Sequence, residues 1–188
     1  MDALLTSTIL VALAEMGDKT QLLAIVLSTR LRRPWPIVAG IFCATMANHF
    51  LAALLGHWVA GIMQAPWFRI AVAAGFIGMA LWTLIPDKLD EESSHAPTGA
   101  GAFMTTLIAF FLVEMGDKTQ IATVALGARF ANVYAVTAGT TLGMMIANVP
   151  AVFLGEALVK RIPLAPMRYA AAALFLAIGA YMLIEQLG

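Results

Sequence analysis

Glu15-Met16-Gly17-Asp18-Lys19-Thr20-Gln21 recurs residue for residue as Glu114-Met115-Gly116-Asp117-Lys118-Thr119-Gln120, 99 positions further along the chain. At the same offset the similarity continues through Leu27/Leu126, Arg30/Arg129, Gly40/Gly139, Leu55/Leu154, Gly56/Gly155, Arg69/Arg168 and Phe76/Phe175. Seven consecutive identities that include three charged positions are not an accident of apolar composition; they mark a duplicated unit. The surrounding sequence says where that unit resides. At 61% hydrophobic and 12% charged, the 188-residue chain lies far outside the balance of a soluble protein.

Working outward from the two motifs, apolar runs between Pro, Gly and charge clusters predict six helices, near Ala3 to Thr29, Pro34 to Met63, Pro66 to Ile85, Gly101 to Ala128, Val133 to Val159 and Leu164 to Leu187. Each is long enough to cross a hydrocarbon core of about 30 Å. The expected fold is an all-α integral membrane protein whose six transmembrane helices form two inverted three-helix repeats. Residues 1–85 make the first repeat, 86–100 an acidic linker and 101–188 the second. An odd number of spans per repeat sends the second copy into the membrane from the opposite side, an arrangement that places a transporter's substrate site near the midplane between halves. Prolines 34, 36, 66, 163 and 166 fall near helix starts, where a missing N–H costs little. Pro150 falls inside the fifth span, next to Asn148, and predicts a kink there.

Basic residues orient the spans. The first, third and fifth connections hold Arg30, Arg32, Arg33, Lys88, Lys160, Arg161 and Arg168, against Arg69 and Arg129 on the other side. Those three connections are expected in the cytoplasm, with both termini outside. The linker, with Asp87, Lys88, Asp90, Glu91 and Glu92, reads as a solvated loop. Met1-Asp2-Ala3-Leu4 lacks the positive flank of a secretory signal, so the first span reads as an uncleaved helix of a prokaryotic inner membrane. Eleven basic residues balance eleven acidic ones, which gives no reason to expect nucleic acid as a partner. The expected partners are the lipid bilayer, a divalent cation and protons, with a homodimer left open. Cys43 has no second cysteine to pair with and reads as a packing residue.

A rise of about 1.5 Å per residue puts Glu15 and Glu114 roughly 18–20 Å into the membrane from opposite faces, near its middle. On a continuous helix, Glu15 and Asp18 are about 60° apart and Gln21 a further 60° round. Two copies therefore bring Glu15, Asp18, Glu114 and Asp117 towards one cavity. Gly17 and Gly116 let a neighbouring helix approach or let the backbone unwind. Four carboxylates against Lys19 and Lys118 leave two negative charges, which a divalent cation cancels. Carboxylates, the amides of Gln21 and Gln120 and the hydroxyls of Thr20 and Thr119 are hard oxygen ligands suited to Mn²⁺, Ca²⁺ or Mg²⁺. Met16 and Met115 either add a softer ligand or simply pack. Protons compete for the same oxygens, the minimal chemistry of a cation/proton exchanger. The plainer alternative is that Glu15–Lys19 and Glu114–Lys118 are i,i+4 ion pairs that satisfy one another. It leaves Asp18, Asp117 and the duplication unexplained.

Asn48, His49 and Asn148 are polar groups at membrane depth. They either extend the ion's shell and proton path or make interhelical hydrogen bonds. Trp35, Trp58, Trp67 and Tyr169 read as interface anchors.

In its two strings the sequence resembles the Gdt-type cation/proton exchangers, the family marked by a duplicated Glu-x-Gly-Asp-(Lys/Arg)-(Ser/Thr). The resemblance covers essentially the whole chain. It implies export of Mn²⁺, or else Ca²⁺, from the cytoplasm in exchange for protons, with Glu15, Asp18, Glu114 and Asp117 binding the ion. No nucleophile–base set or Gly-rich phosphate loop appears in the sequence, so no enzyme activity is expected, and no resident cofactor, the metal being cargo. Two other readings stand beside it: an exporter of amino acids or small organic cations, and a non-transporting membrane assembly factor.

Overall fold

The computed structural model describes residues 2–62, 66–85, 101–155 and 164–187; the acidic linker 86–100 and residues 156–163 lie outside them. The described residues form eight helices and no strand. These are α1 (Asp2–Glu15), α2 (Lys19–Leu31), α3 (Pro34–Ile62), α4 (Pro66–Thr83), α5 (Ala102–Glu114), α6 (Lys118–Phe130), α7 (Val133–Leu154) and α8 (Leu164–Leu187). Three stretches are long and apolar enough to cross a bilayer, Pro34–Gly61, Val133–Leu154 and Ala165–Gln186, and Trp67–Thr83 and Ala102–Glu114 are shorter apolar helices.

The largest departure from the sequence reading is at the motifs. Continuous helices were expected over Ala3 to Thr29 and Gly101 to Ala128, but both are broken, α1 from α2 and α5 from α6. Gly17 (φ +84°) and Gly116 (φ +79°) adopt the left-handed conformation that a side chain disfavours. Asp18 and Asp117 follow in extended conformation as N-caps. The glutamine three residues on closes each new start, Gln21 Oε1 accepting from Gly17 N at 3.0 Å and Gln120 Oε1 from Gly116 N at 2.8 Å. Asp-x-x-Gln after glycine is thus a helix start of the capping-box type, shifted by one residue. The wheel angles between Glu15 and Asp18 therefore do not apply, since they end one helix and begin another. Each half-helix of 13 or 14 residues rises only about 20 Å.

Packing repeats at the 99-residue offset. A Cβ on Gly40 of α3 would lie 2.8 Å from the Phe103 carbonyl oxygen of α5, and one on Gly139 of α7 would lie 2.5 Å from that of Leu4 in α1. These backbones touch because no side chain separates them. Gly127 of α6 meets the Ala53 carbonyl of α3, while at the equivalent contact the Ser28 hydroxyl of α2 donates to the Val152 carbonyl of α7. Phe76 of α4 and Phe175 of α8, themselves equivalent, face one another with ring centroids 6.3 Å apart, both buried. Pro150 lies within α7 without ending it.

Apolar clusters flank the broken helices, one around Leu10, Phe76 and Phe175, the other around Leu23, Ile41 and Phe110. The outer surface is also apolar: Trp35, Trp58, Trp67 and Tyr169 are exposed, as are Leu51, Leu81 and Ile184. In water so much exposed apolar surface would be a liability; against lipid it is expected. Cys43 is half-buried and free.

Candidate functional site

The two breaks meet. Glu15 closes α1 and Glu114 closes α5, both fully buried; Asp18 and Asp117 open α2 and α6, both buried. Carboxylate oxygens of Glu15, Glu114 and Asp117 all lie within 4.8 Å of one another. Among the described residues Asp18 is not part of that group, so the structure brings three of the four expected carboxylates together and sets the fourth beside them.

The lysines cross between the motifs. Lys19 Nζ lies 2.8 Å from Asp117 Oδ1, and Lys118 Nζ lies 3.1 Å from Asp18 Oδ1. The local i,i+4 pairs that the sequence allowed are not the pairs formed, because the break swings each lysine away from the glutamate four residues earlier. This pairing settles the charges. Each aspartate is matched by a lysine of the other motif, and among the described residues neither Glu15 nor Glu114 has a cation within ion-pair distance.

Among the described residues, hydroxyls serve one of these glutamates. Thr20 Oγ1 donates to Glu15 Oε2 at 2.6 Å, and Thr119 Oγ1 donates to Glu15 Oε1 from the other motif. Both oxygens of Glu114 are buried without a hydrogen-bond partner among the described residues. An unpartnered buried carboxylate is costly, and a cation or a proton satisfies it. Asp117 also caps its own helix, Oδ2 accepting from Thr119 N at 3.3 Å.

Around this centre, Gln21 Nε2 donates to the Ala147 carbonyl at 2.9 Å, and Gln120 Nε2 donates to Asn48 Oδ1. Gln120, Thr20, Thr119, Lys19, Lys118 and Asn48 therefore bind one another or the acids, whereas Gln21 binds backbone groups, the Gly17 N–H and the Ala147 carbonyl. Asn148 does not reach either motif. Its amide donates to the Met144 carbonyl at 3.1 Å and lies 2.8 Å from the Met144 sulfur, while its Oδ1 has no partner among the described residues. His49 is fully buried, and neither ring nitrogen has a hydrogen-bond partner among the described residues. The Ala147 carbonyl is a participant that sequence reasoning missed, and a backbone group at an alanine offers no signal to find it by. The asparagine-to-alanine difference at the equivalent position, 48 against 147, was the available hint.

Two open cavities, about 570 and 600 Å³, share no residue with the acids. One contains Arg129, paired with Glu185 at 3.3 Å, and the other runs along Phe42, Phe50 and Tyr134. The acid cluster is compact, and its most exposed charged member is Lys19, with 25% of its side chain accessible against 5% for Lys118.

Comparison with known proteins finds likenesses among cation transporters. The family model described as "Divalent cation/proton antiporter GDT1" matches residues 3–91 and 102–188. A protein of Vibrio cholerae named "Putative manganese exporter" is 50% identical over 177 residues, covering 94% of this chain and 88% of its own length. A GDT1-like protein of Synechocystis is 29% identical over 162 residues, 76% of this chain and 77% of its own. An Arabidopsis thaliana relative, GDT1-like protein 3, is 26% identical over 167 residues, 75% of this chain and 56% of its own. No solved structure matches the chain.

Proposed function

The chain belongs to the GDT1 family of divalent cation/proton antiporters, and on that premise we propose that it exports Mn²⁺ from the cytoplasm in exchange for protons, with Ca²⁺ as the next candidate cargo. The family is one of cation transporters, not enzymes. The observation that carries the exchange is the charge pattern: two aspartate–lysine pairs neutralise each other, and two glutamates, grouped with Asp117 within 4.8 Å, have no cation within ion-pair distance among the described residues. One doubly charged ion or two protons balances those glutamates equally well, so the two cargoes compete for one place. The donor set is all oxygen, which suits a hard divalent cation. The choice of Mn²⁺ rests on the printed name of the Vibrio relative.

The architecture we infer is six spans in two inverted repeats, residues 1–85 and 101–188, joined by a cytoplasmic linker. The crossed Lys19–Asp117 and Lys118–Asp18 pairs, the Gly40 and Gly139 contacts and the facing Phe76 and Phe175 support it. Each broken pair, α1 with α2 and α5 with α6, then supplies one span with the motif near its middle. Inner-membrane placement with both termini outside follows the basic-residue bias in the connections. Alternating access exposes the acids to one side and then the other.

The test is reconstitution. Proteoliposomes holding the protein should take up Mn²⁺ when a proton gradient is imposed, and Asp18→Asn and Asp117→Asn should each abolish uptake in a folded protein. No movement of Mn²⁺ or Ca²⁺ sinks the function, and full transport by both variants removes the aspartates from it. Competition by lysine or arginine would instead favour an organic-cation exporter, whereas absence of any ion binding by calorimetry would leave an assembly factor.

A further inference from the structure

Glu15 and Glu114 hold equivalent positions in identical motifs, yet they are served unequally. Thr20 and Thr119 are equivalent as well, and each hydroxyl has one hydrogen to give. A symmetric molecule has two choices: both threonines donate within their own motif, or both donate across. The structure makes neither choice. Thr20 donates locally and Thr119 donates across, so both hydrogens go to Glu15. Glu114 receives none from the described residues.

The aspartates divide in the same sense. Asp117 has an oxygen within 4.8 Å of those of both glutamates, whereas Asp18 stands outside that group with Lys118 at 3.1 Å. Lys19, the partner of Asp117, has 25% of its side chain accessible; Lys118, the partner of Asp18, has 5%. Three separate features therefore break the equivalence of the halves together: the hydroxyls, the aspartates and the access of the lysines.

We propose that Thr20 and Thr119 are a positioning pair that assigns the two glutamates their roles, and that both hydroxyls turn from Glu15 to Glu114 when the transporter passes to its opposite-facing state, where Asp18 replaces Asp117 beside the glutamates. This rests on the exchange reading and on the inverted repeats. Exchanging the halves of an asymmetric pseudo-two-fold molecule generates the second state from the first, with every residue taking over the contacts of its equivalent. The move needs only rotation about the threonine Cα–Cβ bonds and a shift of the half-helices at Gly17 and Gly116. A glutamate with two hydroxyl donors has part of its lone-pair capacity engaged, while the bare one presents both oxygens to an ion. The bare glutamate is thus the entry ligand in each state, and it alternates.

Symmetry fixes the sign of the test. Thr119 makes the crossing bond in the state described and Thr20 makes it in the opposite state. Thr119→Val and Thr20→Val must therefore bias the equilibrium in opposite directions, by the difference between a crossing and a local bond. In oriented proteoliposomes the readout is the ratio of apparent Mn²⁺ affinities measured from the two sides. The two valine variants should move that ratio in opposite directions, each by about two- to tenfold. Thr20→Ser and Thr119→Ser, which keep the hydroxyl, should return it towards the starting value. Should a valine variant not fold, Thr→Ala at the same position gives the same comparison. A ratio that shifts in the same direction for both, or for neither, overturns the proposal, because a merely structural hydroxyl weakens both sides alike. Absence of Mn²⁺ exchange by the unsubstituted protein would sink the underlying function, a distinct result.

Discussion

The motif at Glu15–Gln21 and the motif at Glu114–Gln120 are chemically identical, and the molecule treats them differently. Among the described residues Glu15 accepts two hydroxyl hydrogen bonds and Glu114 none. Gln21 is anchored on a backbone carbonyl of α7, Gln120 on the side chain of Asn48 in α3. Ser28 bonds Val152 where Gly127 packs bare against Ala53. Part of the inequality therefore comes from residues outside the motif, and part from the directions in which Thr20 and Thr119 point within it. A duplicated string fixes what chemistry is available, while its neighbours decide which copy is engaged in a given state.

The strongest way to break the comparison is at the glutamates. Glu15→Gln and Glu114→Gln should each lower Mn²⁺/proton exchange by more than about a hundredfold, since either removes half of the charge that the ion balances. Stability should separate them. Removing the charge from the unpartnered Glu114 relieves a buried cost of about 1–3 kcal/mol, whereas Glu15 gives up two charge-assisted hydrogen bonds. Thermal unfolding in detergent without metal should rank Glu114→Gln above Glu15→Gln, and equal midpoints would mean that the two carboxylates are in equivalent surroundings.

The next largest effect concerns the crossed pairs. Removing one partner of a buried ion pair leaves the other charge alone, at about 3–5 kcal/mol. Lys118→Met removes the cation 3.1 Å from the deeply buried Asp18 and should approach that cost. Lys19→Met acts at the more accessible pair and should cost less, because solvent screens what remains. Thermal shift reads both, and a larger loss for Lys19→Met would reverse the assignment of the more open side.

Much of this was legible in the residues themselves. The acids, their duplication and the expectation that the motifs meet came from seven letters read twice. Three of the four carboxylates do converge. The break at Gly17 was only one of two readings offered for that glycine, although Asp18-Lys19-Thr20-Gln21 is a helix-start pattern. Apolar periodicity runs on through the motif and hides the interruption. The lysine partners could not be read, because a sequence shows the neighbour four residues away and not the one that a broken helix turns towards. The difference between Glu15 and Glu114 could not be read at all, since it lies in which way two hydroxyls point.

Close backbone contacts provide a middle-sized test. Gly40→Ala and Gly139→Ala would each place a methyl group within 2.8 Å of a carbonyl oxygen on the facing half-helix. Overpacking of this kind costs about 1–3 kcal/mol. Similar losses from both would sharpen the equivalence of the α3–α5 and α7–α1 contacts. Gly127→Ala, against the Ala53 carbonyl, should cost as much, while Ser28→Ala at the equivalent place loses only a hydrogen bond.

The smallest predicted effect is the most specific to one half. Gln120 relies on a side chain, so Asn48→Ala removes its acceptor and should cost about 0.5–1.5 kcal/mol. Gln21 relies on the Ala147 carbonyl, which survives any substitution there, so Ala147→Ser should leave that bond intact. A double-mutant cycle between Asn48→Ala and Gln120→Ala should therefore show coupling, and one between Ala147→Ser and Gln21→Ala should show almost none. Coupling in both cycles would mean that the glutamines are held alike, and the asymmetry of the two motifs would then rest on the threonines and aspartates alone.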